Sequence, residues 1–273
     1  MSHINGHKQT LRILIIAMIT TIVIANSIIV FSESHKKHST ALWVLNIAAF
    51  STSALGIVTI CRYGIHGLHG WSYLFLTLGL ILWCSADFTM LYLYYALPTE
   101  EQEKVSIADA LWFAGYGLLS LHLFTILRSL RKTIKLRLAT MVAFFCLLFV
   151  FYNVLVLLSS ENFLADIDLA ALVVTIAYPV LDLTLIFPSI LVLLSLRRDY
   201  QQSIPWFLSS LSLLINALAD DGYVYDFVSG NMENLWFWEL FYVADFIIMA
   251  GALIWYNKFH ITYVLSTRRL NVK

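Results

Sequence analysis

Long apolar runs alternate with short polar stretches along almost the whole chain. Each run reaches the roughly 20 residues that a helix needs to cross a hydrocarbon core of about 30 Å. The pattern predicts eight helices, at about 12–31, 41–61, 72–97, 106–127, 138–158, 169–195, 204–227 and 235–257, with seven spans as the alternative. Runs this long favour helices over a barrel, because a helix satisfies every backbone polar group within one segment. The expected fold class is an all-α integral membrane protein. Residues 1–273 form a single transmembrane domain, with 258–273 as a short cytoplasmic tail. The first run is too long for a signal-peptide core and no small-residue cleavage site closes it, so it reads as the first span.

Composition agrees with the pattern. Hydrophobic residues make up 60% of the chain and charged residues 12%, too apolar for a soluble domain of this size. Net charge is zero, which removes the case for nucleic acid and leaves the lipid bilayer as the expected partner. Cys61, Cys84 and Cys146 lie in or beside apolar segments without metal-type spacing and read as packing residues. Arg128, Arg131, Lys132, Lys135 and Arg137 between the fourth and fifth runs, Arg197 and Arg198, and the tail residues Arg268, Arg269 and Lys273 mark the cytoplasmic side. Both termini are then cytoplasmic in a multi-pass protein of the cell membrane, and the loops carrying Glu100, Glu101, Glu103, Glu161, Asp166, Asp168 and Glu233 lie outside. Lys36 and Lys37 fall on the outer side against the trend.

The halves 12–127 and 138–257 look duplicated. Asp109, Trp112, Ala114 and Tyr116 align without gaps on Glu239, Tyr242, Ala244 and Phe246, and Ala86 and Asp87 align on Ala219 and Asp220. Four helices per half is an even number, so the two copies would share one orientation.

The chemistry lies in the acids. Asp87, Asp182, Asp220, Asp221 and Asp245 fall inside the spans, with Asp109 and Glu239 about one turn from the outer face. An aspartate at mid-membrane costs roughly 2.5–3.5 kcal/mol, so five facing lipid would cost on the order of 10 kcal/mol. They must face the bundle interior or water. No lysine or arginine lies inside these spans away from a helix end. That leaves protonated carboxyls bonded as structural glue, carboxylates around a cation, or a hydrated cavity open to the outside. Trp83, Asp87 and Tyr94 share one helix face, as do Asn216, Asp220 and Tyr223. Pro179 frees the carbonyl of Thr175 within one turn of Asp182.

Other candidates are weaker. His66 and His69 sit in RYGIHGLHGW, whose glycines predict a turn through residue 70 rather than a helix. His122 is the one histidine inside a span and reads first as hydrogen-bonded packing. The aromatic residues partly form an interfacial belt, but Trp83, Trp112, Tyr116 and Tyr178 lie nearer the acids and could wall a pocket for an amphipathic or cationic ligand.

The strings SIADALWFAGYGLL (Ser106, Ala108, Asp109, Tyr116) and AYPVLDLTLIFP (Tyr178, Pro179, Asp182) resemble the multi-pass N-terminal sensory modules of bacterial diguanylate cyclases and related signalling proteins. The resemblance runs from about residue 71 to 256. Val105 stands where that family commonly has a proline, and the family's usual catalytic output domain is missing from this chain. It implies a sensor-like module that binds a small ligand or cation in an outward-facing cavity and signals through a cytoplasmic or membrane partner. Taken with the residue reading, the candidate ligand-binding set is Trp83, Asp87, Asp109, Tyr116, Tyr178, Asp182, Asp220 and Glu239. The sequence names no cofactor. The alternatives are a transporter or proton-permeation protein using the same carboxylates and, behind it, a metal-dependent membrane hydrolase using His122.

Overall fold

The structure, a computed structural model, describes residues 2–97, 105–159, 169–196, 200–231 and 234–261. Among these residues eight helices are long and apolar enough to cross a membrane. They are α1 (Ser2–Val30), α2 (Lys37–Tyr63), α3 (Gly67–Ala96), α4 (Ile107–Leu130), α5 (Leu136–Ser159), α6 (Leu169–Ser195), α7 (Tyr200–Val228) and α8 (Trp236–Trp255). A 3-10 turn, Ser34–Lys36, joins α1 to α2, and α8 runs on into a π-helical turn, Tyr256–Ile261. The apolar runs set the helix count, and the ends differ from expectation by a few residues. The loops at 98–104 and 160–168, Arg197, Arg198 and the tail from residue 262 lie outside the described residues.

One boundary moves for a local reason. The glycine-rich turn expected through residue 70 closes by His66, so α3 starts at Gly67 and His69 is helical. Gly64 and Gly67 hold positive φ of 78° and 64°, which only glycine adopts without strain. Gly70 then packs directly over the Gly64 carbonyl, where a Cβ would lie 2.9 Å from the oxygen. His66 is left outside the helix as its N-cap, while His69 stacks on Trp206 of α7, so the two histidines part company.

Six helices close a ring. α2 packs on α3, α3 on α4, α4 on α6, α6 on α7, α7 on α8, and α8 back on α2. Outside this ring, α1 leans on α8 and α2, and α5 on α6 and α7. Half of the spanning stretch of α3, α7 and α8 is buried, against 11% for α1 and 17% for α5, so the core sits within the ring. Its polarity is inverted relative to a water-soluble bundle. Asn46, Thr52, Asp87, His122, Asp182, Ser212, Glu239 and Asp245 are buried, while Ile16, Phe31, Phe144 and Phe151 are exposed.

Glycine sets the tightest approaches in the ring. Gly115 of α4 lies under the Trp83 ring of α3, where a Cβ would fall 2.3 Å from the indole. Gly117, two residues on, has open space beside it. Replacing Gly115 with Ala is expected to destabilise the protein by about 1–3 kcal/mol through overpacking, while Gly117→Ala leaves stability unchanged or slightly raised. Thermal unfolding of the two variants, followed by helical circular dichroism, checks the contrast.

Candidate functional site

The acids meet at the middle of the ring, and hydrogen bonds between helices place them. At the start of α4, Ser106 caps the helix: its Oγ accepts from the Ala108 amide at 3.1 Å, and its own amide donates to Asp109 Oδ2 at 2.8 Å. This is a capping box. The other oxygen, Asp109 Oδ1, accepts from the Tyr178 hydroxyl of α6 at 2.8 Å. Both oxygens of Asp109 therefore serve the fold, and they tie α4 to α6.

Two turns along α4, Tyr116 reaches the centre. Its hydroxyl contacts Asp182 Oδ1 of α6 at 2.6 Å and also Asp220 Oδ2 of α7. Asp220 Oδ1 accepts from the Tyr242 hydroxyl of α8 at 2.5 Å. Tyr116 and Asp182 are buried. A phenol carries one hydrogen and faces two carboxyls here, so both contacts are met in full when one carboxyl is itself protonated and donates to the phenol oxygen. Tyr242, Asp220, Tyr116 and Asp182 thus form one continuous chain of hydrogen bonds through four helices.

Asp87 lies on the α3 side. Its Oδ1 accepts from the Trp112 indole N–H of α4 at 3.1 Å, and its backbone carbonyl accepts from Asn46 Nδ2 of α2 at 3.3 Å. Trp83, expected to wall a pocket, packs between α3 and α4 beside Tyr116. Its N–H donates to the Trp112 carbonyl at 3.2 Å and its ring meets Tyr116 edge-on at 5.2 Å. The indole lies against Gly115, where a side chain would collide with it. Tyr94, on the same helix face, packs against His38 toward the helix end and away from the acids.

Glu239 is buried in the first turn of α8, and its Oε2 is sealed from solvent with no hydrogen-bond donor among the described residues. It lies within electrostatic reach of Asp87 and Asp220. Asp182 Oδ2 and Asp221 Oδ2 are likewise sealed without a donor. Lys37, one of the two lysines that ran against the charge trend, has its Nζ 4.2 Å from the Trp236 ring, one turn before Glu239. Lys36 pairs with Glu33 at 2.7 Å.

Several residues of this network lie outside the sequence-derived set. Asp245 accepts from Ser212 and, at 2.9 Å, from Asn216, and Asp221 accepts from Asn153 of α5 at 2.9 Å. Tyr242 and Trp112 are the donors to Asp220 and Asp87. A signal for three of the aspartates was present, since Asp87, Asp220 and Asp245 each follow an alanine, a small residue that lets the neighbouring helix come close. His122 is buried far from these acids, its Nδ1 2.9 Å from both Ser72 Oγ and the Ser72 carbonyl, as a packing residue would be. Among the described residues no group of three or more His, Cys, Asp or Glu side chains is arranged to hold a metal ion.

Comparison with protein-family models, curated proteins and solved structures finds no match for this chain.

Because Tyr116 and Tyr242 both contact Asp220, their removal should not be additive. Tyr116→Phe and Tyr242→Phe are each expected to cost about 1–3 kcal/mol, with the double variant departing from the sum by about 0.5–3 kcal/mol. A double-mutant cycle by thermal or denaturant unfolding in detergent measures the coupling.

Proposed function

We propose that this chain is an eight-helix integral membrane protein of the sensory-module type. In this reading it binds a small ligand or cation at the acidic centre of the ring and passes the change to a signalling partner on the cytoplasmic side. Membrane insertion is favoured by the outward display of large apolar side chains around a polar interior, an arrangement that water would penalise. Placing both termini in the cytoplasm follows from the basic residues between α4 and α5. The resemblance of the Ser106–Tyr116 and Tyr178–Asp182 segments to sensory modules of signalling proteins points the same way.

The proposed duplication has support in the packing. Exchanging α2, α3 and α4 with α6, α7 and α8 maps the ring onto itself: α3–α4 becomes α7–α8, and α2–α8 becomes α6–α4. It also maps one hydrogen bond onto another. Trp112 of α4 donates to Asp87 of α3, and Tyr242 of α8 donates to Asp220 of α7. These are the aligned positions of the two sequence halves.

The observation that carries the functional reading is the Tyr116 bridge. One side chain of the first half holds two carboxyls of the second, so any change in charge or occupancy there bears on how the halves pack. A route to the far end is present. Six residues beyond Tyr116, His122 is held by Ser72 of α3; the adjacent Tyr73 stacks on Tyr256 at 3.9 Å, and Tyr256 meets Tyr63 of α2 edge-on. Cys61, two residues before Tyr63, is exposed, whereas Cys84 and Cys146 are buried.

A second reading has its own observation: the chain Tyr242–Asp220–Tyr116–Asp182 continues one turn on into the Ser120–Thr184 hydroxyl pair at 2.6 Å, a geometry that can relay protons. Leu119, Leu123 and Leu185 are fully buried near it and interrupt its polarity.

Two measurements on the full chain in proteoliposomes separate the readings. For a sensor, Asp220→Asn and Tyr116→Phe should change the rate at which a membrane-impermeant maleimide labels Cys61 by about threefold or more, on the order of 0.6 kcal/mol in the population of the reactive state. Proton flux under an imposed gradient should stay at the level of empty vesicles. Labelling that ignores both substitutions defeats the sensor reading. Flux that Asp182→Asn abolishes establishes the relay.

A further inference from the structure

Beside the Tyr116 bridge, the α1–α2–α8 side of the bundle holds a surplus of hydrogen-bond acceptors. Asn46 is buried and spends its amide nitrogen on the Leu42 and Asp87 carbonyls, at 2.8 and 3.3 Å. Its Oδ1 is sealed without a donor. Asn26 of α1 donates to the Leu240 carbonyl at 3.3 Å, and its Oδ1 is likewise sealed. The residue before Leu240 is Glu239, 5% exposed, whose Oε2 is likewise sealed without a donor among the described residues.

These oxygens lie at one level. Thr52 Oγ1 of α2 donates to the Phe246 carbonyl of α8 at 2.9 Å, and both are even-numbered spans and so run in the same direction. Six residues earlier on each helix, Asn46 is level with Leu240. Asp87 joins them through the Asn46 bond.

Three sealed acceptors, two of them amide oxygens and one a carboxyl oxygen, thus lie near one level along α1, α2 and α8, with no cationic partner among the described residues. Lys37 is engaged on Trp236, one turn toward the helix start. Electrostatics asks for positive charge and hydrogen bonding asks for N–H donors. A hard metal ion asks for more, six or so oxygens in a shell, and the side chains here do not supply a group that could hold one.

We infer that the level of Asn26, Asn46, Asp87 and Glu239 binds an ammonium-type cation, the ammonium ion or a small primary amine, whose N–H groups donate to Glu239 Oε2 and the two amide oxygens. The inference rests on the sensory-module reading and names the ligand class for its site. One turn toward the helix start, Lys37 holds an ammonium group of the chain's own over Trp236, on the kind of aromatic face that receives such cations.

The test uses the full chain in lipid nanodiscs at constant ionic strength. Thermal unfolding is followed with ammonium, methylammonium, sodium and tetramethylammonium chlorides. Ammonium and methylammonium should raise the melting temperature saturably, while tetramethylammonium, which has charge but no N–H, and sodium should not. Equal shifts from all four cations, or none from ammonium, overturn the inference on the native chain alone.

Glu239→Gln keeps the shape and removes the charge, so it should weaken the ammonium response at least about tenfold, while Gly117→Ala, on the open face of α4, leaves it intact. An undiminished response in Glu239→Gln overturns the site. Cys61 labelling judges the sensory reading separately: labelling that responds to Tyr116→Phe with no ammonium response removes this ligand and keeps that reading.

Discussion

Carboxyl groups removed from water must be protonated, paired or hydrogen-bonded, and this protein meets that demand mostly with phenols and indoles. Tyr116, Tyr178, Tyr242 and Trp112 donate to Asp182, Asp109, Asp220 and Asp87, respectively. Among these acids a lysine or arginine would cancel the charge and fix the state. Aromatic donors leave the charge adjustable, because a phenol bonds either a carboxylate or, as acceptor, a carboxylic acid. The packing follows from that choice. Each of these donors comes from a different helix than its acceptor, so satisfying the acids and closing the ring are the same event. Removing one donor strands a buried oxygen, which costs more than the bond was worth.

Much of the fold was legible because apolar length is a strong signal and does not depend on tertiary contacts. The eight runs match the eight helices, and Gly67 shows why an end shifts: a positive φ lets the turn finish in three residues where composition suggested seven. The charge pattern was harder to read at Lys37, whose position makes sense only with Trp236 beside it. That contact joins residues about 200 positions apart, and no local pattern encodes it.

The acids themselves were legible as a class from their cost in an apolar chain; Tyr116, Asp182 and Asp220 share one hydrogen-bond chain, with Asp87 bonded separately and within electrostatic reach of Asp220. Their individual tasks were not. Asp109 looked like an outer ligand group, yet Ser106-x-x-Asp109 is a capping-box spacing that could have been read from the sequence. Trp83 and Asp87 share a helix face, but Gly115, by lacking a side chain, decides that Trp83 lies over α4 and steadies Tyr116. Asp245 went unselected because its partners, Ser212 and Asn216, come from another helix at a register that only packing fixes.

The two halves, read as a duplication, differ where the difference bears on binding. The aligned acid–donor bonds are alike, but Trp83 over Gly115 in the first half corresponds to Asn216 bonded to Asp245 in the second. One interface is filled with an indole and a bare backbone, the other with a carboxyl and two polar donors. Likewise both oxygens of Asp109 are taken by its cap and Tyr178, whereas Oε2 of the aligned Glu239 is sealed without a donor among the described residues. A longer side chain at the same helical position, on a helix whose first turn has no capping serine, leaves its carboxylate free of structural duty. Symmetric packing with asymmetric satisfaction of the acids leaves sealed acceptors on the α8 side that have no counterpart at Asp109.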